Sequence, residues 1–178
     1  QTKMNQIMKA SAKATLDAAQ GLYESKFLSY PRTDSSYITE NEHQYLVKNL
    51  TRYKDFLGIG TVETPEVHPK KRYVDAKKVQ EHHAIIPTKT IPSKERFAQL
   101  SRLQQAIYLQ VAKTTIAMFA ENYIYEETTI YTGVSELRLK SVGRVPIKPG
   151  WQKILAPKTK KKELQVLPTV EKDQIVEV

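Results

Sequence analysis

The chain has 178 residues, 40% hydrophobic and 26% charged, enough apolar content to bury a core in one large domain or two small ones. It contains no cysteine, which excludes a disulfide framework, a cysteine-liganded zinc and a thiol nucleophile. With 28 Lys and Arg against 19 Asp and Glu, its net charge of +9 favours polyanionic partners, nucleic acid first among them.

The opening residues Gln1-Thr2-Lys3 lack the apolar core and cleavage site of a secretory signal, and a start without Met reads as a segment of a longer chain. No run reaches the length of a transmembrane helix, so a soluble protein with no membrane partner is expected. Ser11 can cap a helix that turns Leu16, Ala19, Leu22 and Tyr23 inward. Leu28–Ser36 is a short extended run ending in turn-type residues. Thr39-Glu40-Asn41-Glu42 is a capping-box pattern opening a helix with Tyr45, Leu46 and Leu50. Residues 57–74, with Gly58, Gly60, Pro65 and Pro69, read as a long loop. A second capping pattern, Ser101-Arg102-Leu103-Gln104, predicts the longest helix, about 101–121, burying Leu103, Ile107, Val111, Thr115, Met118 and Phe119.

After Asn122 the period changes. Tyr123–Tyr131 is rich in β-branched and aromatic residues and reads as a strand, Gly133 as the turn, and Glu136–Lys140 as the returning strand. Further strands are expected at Gln152–Leu155 and Gln174–Val178, with the basic stretch 158–162 connecting them. The fold class is therefore α+β: a mainly helical domain over 1–122, then antiparallel strands over 123–178. Strands of this length need more sheet than the tail supplies, so they are expected to belong to a larger one. An open strand edge also allows pairing with a second copy, which leaves the oligomeric state undecided.

Two segments carry chemistry. In Leu28-Ser29-Tyr30-Pro31-Arg32-Thr33-Asp34-Ser35, Pro31 keeps Tyr30 out of helical geometry, and residues two apart on an extended chain project to one side. A phenol beside a guanidinium suits a phosphate: the guanidinium forks onto its oxygens and the phenol oxygen attacks phosphorus. Spacing alone leaves the plainer alternative open, since ten tyrosines are present and most tyrosines pack or bond at the surface. The second segment is Glu81-His82-His83-Ala84-Ile85-Ile86-Pro87-Thr88. Adjacent histidines point to opposite sides of an extended chain, and none of the four histidines has zinc-site spacing. The cationic run Lys70-Lys71-Arg72, with Tyr73, reads equally as a solvated loop or as a contact for phosphates and unstacked bases, whereas 158–162 reads as a solvated loop.

Ser29–Ser35 resembles the active-site tyrosine motif of type IA DNA topoisomerases, and His82–Thr88 resembles that family's second motif at the expected separation. The proline after the tyrosine and the paired histidines are closer to the bacterial topoisomerase III branch. The helix Ser11–Glu24 and the stretch from Leu137 to Trp151 also fit, so the resemblance covers nearly the whole chain. It implies that Tyr30 forms a 5′-phosphotyrosyl bond with single-stranded DNA, that Arg32 positions the scissile phosphate, and that His82 is the active-site histidine, orienting the phosphate or handling a proton. Thr33, Ser35, His83, Lys70, Lys71 and Arg72 would be DNA contacts. It further implies a gate domain over 1–122, with 123–178 returning through the neighbouring β arch. A phenol ionises near pH 10, so Tyr30 needs activation, and cations at the phosphate would disperse the developing charge.

Members of this family bind Mg²⁺ through a TOPRIM domain with an Asp-x-Asp cluster, and no Asp-x-Asp occurs in these residues. TOPRIM and the remaining domains of the same parent chain are thus expected partners, and this segment alone is expected not to cleave or relax DNA. A cytoplasmic, nucleoid-associated location follows from the same resemblance. Two other readings remain in view: a non-catalytic nucleic-acid-binding module built on Lys70–Lys78, and a metal-dependent hydrolase, for which the carboxylate–histidine spacing is missing.

Overall fold

The computed structural model describes residues 1–155, 166–172 and 174–175, and divides the chain into two compact units, Gln1–Glu121 and Asn122–Val178. Helices followed by a two-stranded antiparallel sheet make it an α+β protein.

The first unit contains α1 (Thr2–Met8), α2 (Ala12–Glu24), α3 (Glu40–Leu57), a 3₁₀ turn (Ala76–Lys78), α4 (Lys94–Gln99) and α5 (Arg102–Ala117). Its helix starts are fixed by side chains that satisfy orphan amides. The Ser11 hydroxyl accepts from the Ala14 amide, and both Thr39 with Glu42 and Ser101 with Gln104 close reciprocal capping boxes. Glycine in the left-handed region, Gly58 at φ 65°, ends α3. At 18 residues α3, rather than the 16-residue α5, is the longest helix, because α5 stops at Ala117.

One core cluster joins Met4, Ala19, Leu22, Phe27, Leu28, Ile107 and Tyr108, so α1, α2 and α5 pack around the start of the 28–36 segment. Phe56 meets both Phe97 and Tyr108 edge to face in the same cluster, a favoured aromatic geometry, and Phe97 and Tyr108 are tilted against each other. Gly21 permits the close approach of α2 to α5: a Cβ there would stand 2.8 Å from Gln104 Nε2. Of the residues expected inside α2, Tyr23 is an exception, being 41% exposed.

In the second unit, β1 (Ile124–Val134) and β2 (Leu137–Lys148) form an antiparallel hairpin, followed by the short helix α6 (Gln152–Leu155). Gly133 is not the turn. It lies inside β1 opposite Arg138, and the turn is Ser135-Glu136, where Ser135 takes the left-handed φ of 53° that a two-residue hairpin connection requires. The strand expected at Gln152–Leu155 is a helix, since a four-residue apolar run has no period by which to tell the two apart. Of the expected strand Gln174–Val178, Gln174 and Ile175 have no regular structure and the rest lies outside the described residues, as does the basic stretch 158–162. No helix among the described residues is long and apolar enough to cross a membrane.

Candidate phosphate-reacting site around Tyr30

Segment 27–38 is held between two others. On one side Leu28 bridges Pro87, the Ser29 amide donates to Ile86 O at 2.9 Å, and the Thr88 amide donates to Phe27 O at 3.0 Å. On the other, Ile38 pairs with Val74, its amide donating to Tyr73 O at 2.9 Å. The Ala84 amide donates to Tyr37 O at 2.8 Å, so both ends of the tyrosine segment are tied to the histidine segment. These long-range pairings bring together two motifs far apart in sequence.

Ser29 sets their register. Its hydroxyl accepts from the Ile86 amide at 2.9 Å and donates to Ala84 O at 3.4 Å, so one side chain bridges both ends of the Ala84–Ile86 stretch. Thr33 adds a second tie, its hydroxyl donating to His82 O at 3.0 Å and accepting from the Ser35 amide at 3.1 Å. Behind the histidine segment, the Tyr45 and Tyr53 hydroxyl oxygens lie 3.0 Å apart, and Tyr53 donates to Thr88 O at 2.9 Å. Tyr45 also donates to Pro87 O. Burial pushes both phenols above the ordinary tyrosine value, Tyr45 the further, so they remain neutral donors.

Within this frame Tyr30 is half-buried between two rings. The His82 ring lies 4.5 Å from it between centroids, and the Tyr23 ring meets it edge-on at 5.3 Å. Arg32 is exposed and makes no hydrogen bond or ion pair among the described residues, leaving its donors free for an anion. His82 is also exposed. His83 takes a different environment. Its Nδ1 lies 2.7 Å from Ala84 O, and it lines a cavity of about 390 Å³ with Lys26, Ser29, Glu42 and Tyr45. Burial works against ionisation of Glu42, but its bonds from the Thr39 hydroxyl and amide prevail and hold its carboxyl below the usual range.

The other expected contacts are distributed as follows. The Ser35 hydroxyl is engaged with the backbone of Tyr37, accepting from its amide at 3.1 Å, and also reaches Lys78 O at 3.4 Å. Lys70 pairs with Glu66 at 3.1 Å, Arg72 lies over the Tyr73 ring at 4.8 Å, and Lys71 is exposed. Lys78, outside the expected set, bonds the Tyr37 hydroxyl at 3.2 Å and sits 4.6 Å above its ring. Tyr23 and Ser29, also outside the expected set, contact the tyrosine and histidine segments respectively: the spacing of Tyr23 fits the inward stripe of α2, and Ser29 gives no local signal, since its partners lie far along the chain. Among the described residues no three His, Asp or Glu side chains gather as a metal site.

This arrangement can present a phenol to a phosphate with an imidazole at its ring and a free guanidinium two residues along. A family model described as DNA topoisomerase matches residues 1–178. DNA topoisomerase 3 of Bacillus cereus is 31% identical over 182 residues, covering 94% of this chain and 24% of that protein. DNA topoisomerase 3 of Staphylococcus saprophyticus is 33% identical over 148 residues, covering 80% and 20%. In fold, 96% of the chain resembles 27% of full-length topoisomerase I from Thermotoga maritima, with a TM-score of 0.61 at 23% identity. The chain thus spans about a quarter of the length of the relatives it matches.

Proposed function

Because the chain belongs to the DNA topoisomerase family, in its type IA branch, we propose that it supplies the nucleophile side of a strand-cleaving site, with Tyr30 as the residue that joins DNA. The observation that carries this reading is the pairing of the Tyr30 and His82 rings, 4.5 Å apart, by a backbone register that Ser29 and Thr33 fix.

In the proposed reaction the Tyr30 phenol oxygen attacks a phosphodiester phosphorus of a single DNA strand. The bond to the 5′-phosphate forms as the bond to the leaving 3′-oxygen breaks, and the proton lost by the phenol ends on the freed 3′-hydroxyl. Reversal reseals the strand, and since phosphodiester replaces phosphodiester, no ATP is needed. Arg32 would hold the non-bridging oxygens and disperse the charge of the transition state. His82, in contact with the Tyr30 ring, would orient the phosphate or relay the proton. Of the further DNA contacts, Lys71 is free to meet phosphates. Thr33 and Ser35 serve first to shape the loop, and His83 is assigned to the cavity on the Glu42 side.

This reading assigns magnesium to acidic residues of a TOPRIM domain elsewhere in the parent protein. No step here runs through the ion. The same reading makes 1–122 a moving gate and 123–178 part of its supporting arch, in a protein acting on chromosomal DNA in the cytoplasm. Residues 1–178 by themselves should not relax negatively supercoiled plasmid in Mg²⁺.

In the intact protein Tyr30→Phe should abolish the covalent adduct with a single-stranded oligonucleotide while leaving equilibrium affinity within about threefold, since only the attacking hydroxyl is removed. Adduct formation by the Phe variant would refute the assignment.

A further inference from the structure

We infer that one face of the β1–β2 hairpin is a second binding surface for single-stranded DNA, separate from the Tyr30 site and built from two repeated arginine–tyrosine units. The inference rests on DNA being the protein's partner, and adds a site to it.

The pairing register sorts the hairpin side chains into two unlike faces. Thr132 opposes Leu139, Val134 opposes Leu137 and Glu126 opposes Val145, so Val134, Leu137, Leu139 and Val145 share one face. Tyr131 opposes Lys140, Glu127 opposes Arg144, Gly133 opposes Arg138 and Tyr125 opposes Pro146, which places Tyr125 and Tyr131 of β1 with Arg138, Lys140 and Arg144 of β2 on the other. An apolar face is the one a protein covers, so the cationic, aromatic face is the one left to solvent.

On that face the same unit occurs twice. Arg138 has no side chain opposite it, only Gly133, and its guanidinium lies 4.3 Å over the Tyr131 ring on the diagonal. Arg144 lies 5.0 Å over the Tyr125 ring on the equivalent diagonal. The two tyrosines are six positions apart on β1, and so are the two arginines on β2, so the units repeat after about 20 Å at roughly 3.3 Å per residue. Lys140 stands between them. Glu127 is the one acid on this face, and it bonds Arg144 Nε at 2.6 Å, an exposed pairing that leaves the terminal guanidinium nitrogens uncommitted. The aromatic row continues past the hairpin: Tyr123 stacks on Tyr125 at 5.2 Å and meets Trp151 edge-on at 6.3 Å.

Solvent-exposed rings, Tyr131 at 54% and Tyr125 at 39%, beside cations are what a single strand requires, the bases exchanging with the guanidinium groups that lie over the rings. Bases stack on the rings whatever their identity, and phosphates sit on the cations. A duplex hides its base faces and would use only the charges. An acidic peptide would likewise use the charges and leave the rings idle. The repeat spacing, the single-sign cations and the aligned rings together favour a tract of several unstacked nucleotides.

The test is non-covalent binding of a labelled oligothymidylate to the intact protein without Mg²⁺, followed by anisotropy across a salt series. Replacing Arg138, Lys140 and Arg144 with Gln should weaken binding about tenfold at 0.1 M salt and lower the salt slope by about 2, at roughly 0.7 per lost phosphate contact. The Arg138→Lys, Arg144→Lys pair keeps the charge, so its slope should stay near wild type. Tyr131→Ala should weaken binding about tenfold with the slope unchanged, because stacking carries no counterion release. Wild-type affinity and slope in the Gln variant would overturn the inference, as would equal displacement of the strand by polyglutamate. Covalent chemistry at Tyr30 does not enter this measurement, so a failure here and a failure of the Tyr30 assignment are told apart.

Discussion

In Gln1–Glu121 most of the large apolar side chains are inside: Leu22, Leu46, Tyr108 and Ile116 are fully buried. In the described part of Asn122–Val178 most are outside, Leu137 at 68%, Leu139 at 55% and Ile147 at 61% exposure, with Ile154 an exception. The helical unit carries its own core, while the hairpin holds together by its backbone ladder and cross-strand pairs. A lone hairpin of this kind is marginal in water and gains independent stability only when its apolar face is covered. The contrast fits a chain spanning a quarter of its relatives. It also explains why the rigid site frame lies in the first unit.

That difference should be largest in core truncations. Leu22→Ala is expected to cost about 3 kcal/mol of unfolding free energy, whereas Leu139→Ala in residues 1–178 should cost no more than about 0.5 kcal/mol, both read from urea melts. Comparable losses would mean that the hairpin's apolar face is covered within these residues. Next is the register that Ser29 imposes. Ser29→Ala orphans the Ile86 amide and should slow covalent adduct formation in the intact protein about tenfold, with DNA affinity unchanged. A merely structural serine would lower the melting temperature and leave the adduct rate alone.

The smallest effects separate two buried phenols of the helical unit. Tyr53→Phe removes the donor to Thr88 O and should cost about 1 kcal/mol. Tyr108→Phe removes a buried hydroxyl that has no partner among the described residues, and should be neutral or slightly stabilising on thermal melting. If both variants melted alike, the bracing of the histidine segment by α3 would be a passive contact.

Helix starts were legible because capping is local: Ser11, Thr39 and Ser101 each mark a boundary with residues three positions away. The long loop after Leu57 was legible for the same reason, through its Gly and Pro. The hairpin turn was misread because Gly133 is the usual turn signal, yet Ser135 takes the left-handed conformation. The helix at Gln152–Leu155 was misread because four residues hold no periodicity. At the site, the sequence displays Tyr30 and His82, but their meeting depends on contacts such as those of Ser29 with residues more than fifty positions away. Nothing local reports such a contact. The arginine–tyrosine repeat was invisible for the same reason, since it exists only once β1 and β2 are in register.

The most direct measurement is the chemical location of the DNA after cleavage. The intact protein is trapped on a single-stranded oligonucleotide with Mg²⁺, digested, and the modified peptide sequenced by mass spectrometry. The nucleotide is expected on Tyr30, through a phosphodiester to its phenol oxygen. A modification on any of the other nine of the chain's ten tyrosines, or on a residue outside this chain, would contradict the account.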